Sequence, residues 1–287
     1  RMAELGLQFD WMVDEGGMIV ADNPLLPGAT MAMVNVAEKG YLTLTLVAEG
    51  DGGHSSNPPA ISTIGRLANA LAVIEANPFP ARLVEPVAAM FEALAPHVGQ
   101  PRQLVFENLW LTGGMLAGQM ADDRLTKPYV RTTTALTMFN AGIKENVVPQ
   151  RAEAKVTFRL LPGDTPETVV NYIEELVDDP LVTIRYDQWD NVPPVADTHG
   201  SGFEVISRAV EAVYPGAVVV PSLLTATTDT RHYIEVADNL YRFHGVLVEA
   251  SQAKSIHGTD EYIDVASYEK TIQVARQMMT LGAVEAP

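Results

Sequence analysis

The first apolar positions fall in two short runs. Leu7–Val13 reads as a strand, Asp14-Glu15-Gly16-Gly17 as a polar turn, and Met18-Ile19-Val20 resumes the apolar character. From Tyr41 to Val47 the residues alternate with period two, the pattern of a half-buried strand, and Glu49–Gly53 supplies a glycine-rich break before His54. After Pro58-Pro59, Ile61, Ile64, Leu67, Leu71 and Ile74 recur at helical spacing until Asn77-Pro78 stops them. Residues 81–132 carry no decisive pattern, although Pro86–Leu94 has helical character and Gln103–Gln119 is apolar with glycines.

Order returns with Thr133–Asn140 and Ala152–Leu161, two strand-like runs joined by a polar turn around Ile143–Gln150, as in a hairpin. Thr165 is suited to cap a helix that has Pro166 at its first position and Val169, Val170, Ile173, Leu176 and Val177 along one face. Leu181–Tyr186 is the next strand. Read in order, Tyr41–Tyr186 gives β-α-insert-β-β-α-β, a ferredoxin-like four-stranded sheet with helices on one face. Asp190–His199 is linker-like. Phe203, Ile206, Val210 and Val213 form a helical stripe, Ala217–Val220 and Gly245–Val248 short strands, and Val265–Met279 a final amphipathic helix. The predicted class is α/β, with one domain in two parts, 1–39 and 196–287, interrupted by an inserted βαββαβ domain at 40–195.

Composition narrows the chemistry. With 287 residues, 47% hydrophobic, the chain can bury real cores. The formal charge of −17 repels phosphate backbones and anionic headgroups, which argues against nucleic acid and membrane partners. With no cysteine, any protein-held metal must take nitrogen and oxygen ligands. No run approaches the roughly 20 apolar residues of a membrane span and the N-terminus lacks a signal peptide's charged and apolar regions, so the chain reads as soluble, its compartment left open with the cytoplasm favoured. The chain starts at Arg1 and enters a strand within a few residues, which reads as a truncated N-terminus.

Phosphate-loop, dinucleotide and G-x-S-x-G signatures are missing, which leaves scattered His and carboxylates. Asp14 ends an apolar strand, where a carboxylate can enter a cleft or simply cap a turn. His257 sits before a glycine at a loop tip, where an imidazole can be a metal ligand or a surface residue. Asn146 can equally be a hairpin-turn residue, Arg159 the partner of a surface acid, and Asp229 with Arg231 a local ion pair.

Five segments in order resemble motifs of the co-catalytic zinc family of aminoacylases, glycine-X carboxypeptidases and ArgE/DapE deacylases. They are Val13–Gly17, Gly53–Pro58, Asn146–Pro149 with Phe158–Gly163, Thr228–Tyr233, and Ile256-His257-Gly258. The resemblance implies a zinc-peptidase-like α/β catalytic domain carrying an inserted lid and dimerisation domain. It further implies that Asp14 and His257 each ligate one of two zinc ions. His54 would reach the partner subunit's site and stabilise a tetrahedral oxyanion. Asn146 and Arg159 would hold the substrate's free α-carboxylate, which a guanidinium can bind bidentately, and Asp229 and Arg231 would line the cleft.

The family's H-x-D ligands, bridging Asp and Glu-Glu pair precede the segment where this chain begins, so the resemblance also implies a missing N-terminal segment and an incomplete metal site. The expected reaction of the intact enzyme is hydrolysis of a C-terminal peptide bond or an N-acyl amino acid by a homodimer, with the isolated chain inactive. The rival reading is a noncatalytic binding or dimerisation module with a degenerate metal site.

Overall fold

The computed structural model describes residues 2–190, 192–249, 252, 256 and 258–284. In chain order the elements are β1 (Phe9–Ala21), β2 (Thr30–Glu38), β3 (Gly40–Glu49), β4 (Gly53–His54), α1 (Thr63–Ala76), α2 (Glu85–Leu94), α3 (Arg102–Glu107), α4 (Leu109–Asp122) and α5 (Lys127–Val130). There follow β5 (Thr133–Ala141), β6 (Val147–Val148), β7 (Arg151–Leu160), α6 (Pro166–Val177), β8 (Val182–Asp190), α7 (Ser201–Val213), β9 (Val218–Leu224), β10 (Ala237–Glu249) and α8 (Val265–Val284). Two compact units form: Arg1–Glu38 with Arg82–Met120 and Pro193–Pro287, and Lys39–Ala81 with Ala121–Val192. No described helix is long and apolar enough to cross a membrane.

The second unit is the ferredoxin-like insert. Its main sheet runs β5-β7-β3-β8, every neighbour antiparallel, so the first strand of the insert lies between its third and fourth. Period-two alternation turns Leu42, Leu44 and Leu46 of β3 and Val156 and Phe158 of β7 inward. There they pack with Leu67, Leu71 and Ile74 of α1 and Val169 and Ile173 of α6. Each such fully buried side chain contributes about 1.5–3 kcal/mol. Ser62 Oγ accepts from Gly65 N (3.1 Å) to start α1, and a Thr165–Thr168 capping box starts α6, each cap contributing about 1 kcal/mol.

The first unit is an α/β layer with strand order β1-β10-β2-β9, in which β1 is parallel to β10 and β2 parallel to β9. Ile19, Val34, Val36, Tyr241 and Phe243 pack with Ile206 and Val210 of α7 and Val274 of α8.

Three sequence expectations change. Residues 82–120, read as part of the 40–195 domain, group with the first unit, because α2 packs on β9 and β2 and buries Val87, Met90 and Phe91. Asp14–Gly17 is not a turn but a bulge inside one continuous strand, with the register against β10 shifting between Asp14 and Gly17. The strand expected at Gly245–Val248 begins at Ala237, its first half disguised by Asp238, Asn239, Arg242 and His244.

Candidate active site

In the first unit the bulge positions Asp14. A Cβ on Gly17 would meet Met33 O at 2.1 Å, and one on Gly16 (φ +142°) would meet Arg242 Cβ at 2.7 Å, so only glycine lets β1 press this closely on its neighbours. Gly16 N, freed from the ladder, donates to His244 Nδ1 at 3.3 Å. Asp14, just before the bulge, is half-buried, and its Oδ2 is buried with no hydrogen-bond partner among the described residues.

Register then draws a polar line across the sheet. Asp14 pairs with Arg242, Arg242 with Asn35, and Asn35 with Ser222, which puts these four side chains on one face. Arg242 is fully buried. Burial pushes its guanidinium down from the usual range, opposed by Glu38 and Asp14. Glu38, also fully buried, accepts at Oε2 from Arg242 Nε (3.2 Å), Thr228 N (2.9 Å) and Thr228 Oγ1 (2.6 Å). The 3-10 turn Asp229–His232 follows directly. Asp229 and His232 are exposed, and Arg231 Nη1 donates to Thr228 O at 2.9 Å.

The second unit brings His54 and Asn146 together. Gly53 pairs with Val148 and His54 with Val147, and Ser55 N donates to Asn146 O at 3.1 Å. Ser56 N donates to His54 Nδ1 at 3.2 Å, with Ser56 Oγ 2.9 Å from the same atom. A backbone N–H can only donate, so Nδ1 is the unprotonated nitrogen and the neutral ring carries its proton on Nε2. His54 is exposed and therefore offers an N–H donor to an oxyanion. Asn146 Oδ1 is buried with no partner among the described residues.

Arg159 lies elsewhere in this unit. It pairs with Tyr41, its Cζ is 4.8 Å from that ring's centroid, and it stands about 27 Å along β7 from Arg151 at ~3.4 Å per residue. The structure thus joins Asn146 to His54 and separates Arg159 from both.

His257 lies outside the described residues. Among the described residues no group of three or more His, Asp or Glu is placed to hold a metal ion. Asp14 itself fits such a role, since a buried carboxylate oxygen without a donor is satisfied by a cation. Sequence reasoning missed Glu38 and Arg242, and gave Thr228 and Thr230 no role of their own within the Thr228–Tyr233 segment. The available signal was a charge inside an apolar strand, as in Val34-Asn35-Val36-Ala37-Glu38 and Tyr241-Arg242-Phe243.

Fold and residues define an α/β protein with a ferredoxin-like insert, a bulge-borne carboxylate and a histidine–asparagine ladder. Residues 36–184 match the peptidase dimerisation domain of the M20 family, and the chain belongs to that family. It is 34% identical over 281 residues to N-fatty-acyl-amino acid synthase/hydrolase PM20D1 of Bos taurus, covering 96% of this chain and 56% of that protein. It is 33% identical to probable carboxypeptidase S-like 2 of Dictyostelium discoideum, covering 92% and 51%. The chain therefore spans about half the length of these relatives. The M20 family metallo-carboxypeptidase Sso-CP2 of Sulfolobus solfataricus shares the fold with a TM-score of 0.61 at 18% identity, covering 96% of this chain and 64% of that one.

Proposed function

We propose that the protein to which this chain belongs hydrolyses an amide next to a free carboxylate, either an N-acyl amino acid or a C-terminal peptide bond. The observation that carries the reading is the backbone ladder that brings His54 and Asn146 together, a histidine whose Nε2–H is free to donate and an asparagine whose buried Oδ1 has no partner among the described residues. An acyl-transfer transition state needs such a donor at its developing oxyanion. The names of the relatives, an N-fatty-acyl-amino acid hydrolase and a carboxypeptidase, support the same substrate class.

Asp14 and His257 are the residues assigned to zinc, two ions in all, together with ligands from beyond this chain. Bound zinc supplies a water of lowered pKa and a polarised carbonyl. This chain's own contribution is to hold the substrate carboxylate through Asn146 and Arg159, to shape the cleft with Asp229 and Arg231, and to donate to the oxyanion through His54. Arg159's distance along β7 from the His54 ladder is in keeping with a site assembled from two subunits. A homodimer through the insert is supported by β5, whose strand partner among the described residues is β7 alone and which exposes Leu136, Met138 and Phe139.

The test is hydrolysis of a panel of N-acyl amino acids and their C-terminal amides by the full protein, with and without zinc. Turnover of the acids and not the amides is expected. A stable dimer without turnover of either, zinc bound, would instead support the noncatalytic module.

A further inference from the structure

The strongest unassigned feature is the buried polar chain of the first unit, whose proton positions can be derived. Thr230 Oγ1 lies 3.1 Å from Arg242 Nε and 2.7 Å from Arg242 Nη2, and a guanidinium only donates, so both lone pairs of that hydroxyl are taken. Its own proton must then go to Thr228 Oγ1, 2.7 Å away. Thr228 Oγ1 also accepts from Thr230 N at 3.3 Å, so its proton goes to Glu38 Oε2 at 2.6 Å, where the carboxylate only accepts. The hydrogen bonds therefore run one way, from Arg242 through Thr230 and Thr228 to Glu38, and the single Arg242 Nε–H, shared between Thr230 Oγ1 and Glu38 Oε2, closes the ring on the same carboxylate. Arg242 Nη1 is held by Leu240 O at 2.7 Å. Thr228 and Thr230 are fixed inside, whereas Asp229 between them is exposed.

We propose that Glu38 and Arg242 are positioning residues for the substrate: they clamp Thr228 and Thr230 so that the alternate residues Asp229 and Arg231 are presented in one geometry. The inference rests on the reading above that this turn lines the cleft. An amide at Glu38 keeps the acceptor but loses the charge and places N–H groups where Oε1 now sits buried, with no partner among the described residues. Valine at Thr228 keeps the volume and cuts the chain of hydrogen bonds.

The experiment compares Glu38→Gln, Thr228→Val, Asp229→Asn and Arg231→Gln, singly and with Glu38→Gln or Thr228→Val added to the Asp229→Asn/Arg231→Gln background. The full zinc-loaded protein and its best N-acyl amino acid substrate are used, and hydrogen exchange at the Thr228 and Thr230 amides is followed. Glu38→Gln and Thr228→Val are expected to raise KM about ten-fold with a smaller change in kcat and to speed exchange at those two amides. Added to the double loop variant, each should change KM little further, because the residues it positions are already gone. If Glu38→Gln does not fold, Thr228→Val alone decides. Full additivity, or a lower Tm with wild-type KM, overturns the positioning role. If Asp229→Asn/Arg231→Gln itself leaves KM unchanged, the cleft reading of the turn is what has failed, and the positioning role falls with it even where exchange is faster.

Discussion

A side-chain carbon on Gly17 would stand 2.1 Å from the carbonyl oxygen of Met33, a backbone atom that cannot swing aside. Gly17→Ala is accordingly expected to lower the unfolding free energy by about 3 kcal/mol or more, as β1 is pushed off its neighbours and the Asp14 bulge is lost. Gly114→Ala is the control. A Cβ there meets nothing within 4 Å, and Gly114 sits inside α4, so the substitution should stabilise by up to ~1 kcal/mol. Urea unfolding of both variants checks this; equal effects would mean that the bulge yields without cost.

The same bulge shows what the sequence displays and what it hides. Alternation makes β3, β7 and the helices between them legible, because one face of the insert's sheet is buried and the apolar period survives intact. Asp14-Glu15-Gly16-Gly17 looks like a turn because polar residues and glycines mark turns, and nothing local says that the strand resumes in register. Glu38 and Arg242 are 204 residues apart and meet only through sheet order, which no local pattern carries. Residues 82–120 resist assignment because α4 buries little beyond Gly113 and Ala117 and so has no sustained apolar stripe.

The fully buried Glu38–Arg242 pair makes a stability prediction independent of activity. Glu38→Leu should cost about 3–5 kcal/mol, since it leaves Arg242 charged and unpaired in the interior. Adding Arg242→Met should recover part of that loss, as the stranded charge goes too. Urea midpoints of the singles and the double measure it, and a double that loses the full sum of both singles would contradict the pairing.

Lys39 should give unfolding a pH dependence. Its fully buried Nζ donates to Pro128 O (3.0 Å) and Arg131 O (2.8 Å). Burial first, then the nearby Arg159 charge, lower its pKa from 10.5 to about 7 against the pull of Asp164. The folded value lies below the unfolded one, so from about pH 7 to about 10.5 the unfolded chain binds the extra proton and the stability due to Lys39 rises with pH. The slope approaches about 1.4 kcal/mol per pH unit in that window. Lys39→Met shifts the baseline and removes this slope. Identical slopes for wild type and variant from pH 7.5 to 9.5 would refute the assignment.

Asn146→Ala and Arg159→Ala, in the full protein, should each raise KM for N-acyl amino acids by the equivalent of about 1.5–3 kcal/mol with the fold intact. On the proposed reading, each removes a hydrogen bond to the free carboxylate common to the proposed substrates. Steady-state kinetics against the acid separate this from a general defect: KM should rise while kcat, zinc content and Tm stay near their wild-type values, and the C-terminal amide should remain unreactive with wild type and variants alike. A loss of kcat with unchanged KM would move these residues from carboxylate binding to another role.

The last prediction concerns where His54 acts. His54 belongs to the inserted unit and Asp14 to the α/β unit, and the exposed, apolar β5 edge is suited to pair with a second copy of the insert. If the donor at His54 Nε2 serves the partner subunit, His54→Ala and Asp14→Ala homodimers are each inactive, but their heterodimer contains one site with both residues and one with neither. Random re-association of an equal mixture makes half the dimers mixed, so activity should return to about a quarter of the wild-type value. The mixture is assayed after subunit exchange has been shown with differently tagged chains. Exchange without recovered turnover would mean that His54 and Asp14 act within one chain, because no heterodimer would then hold both in the same site.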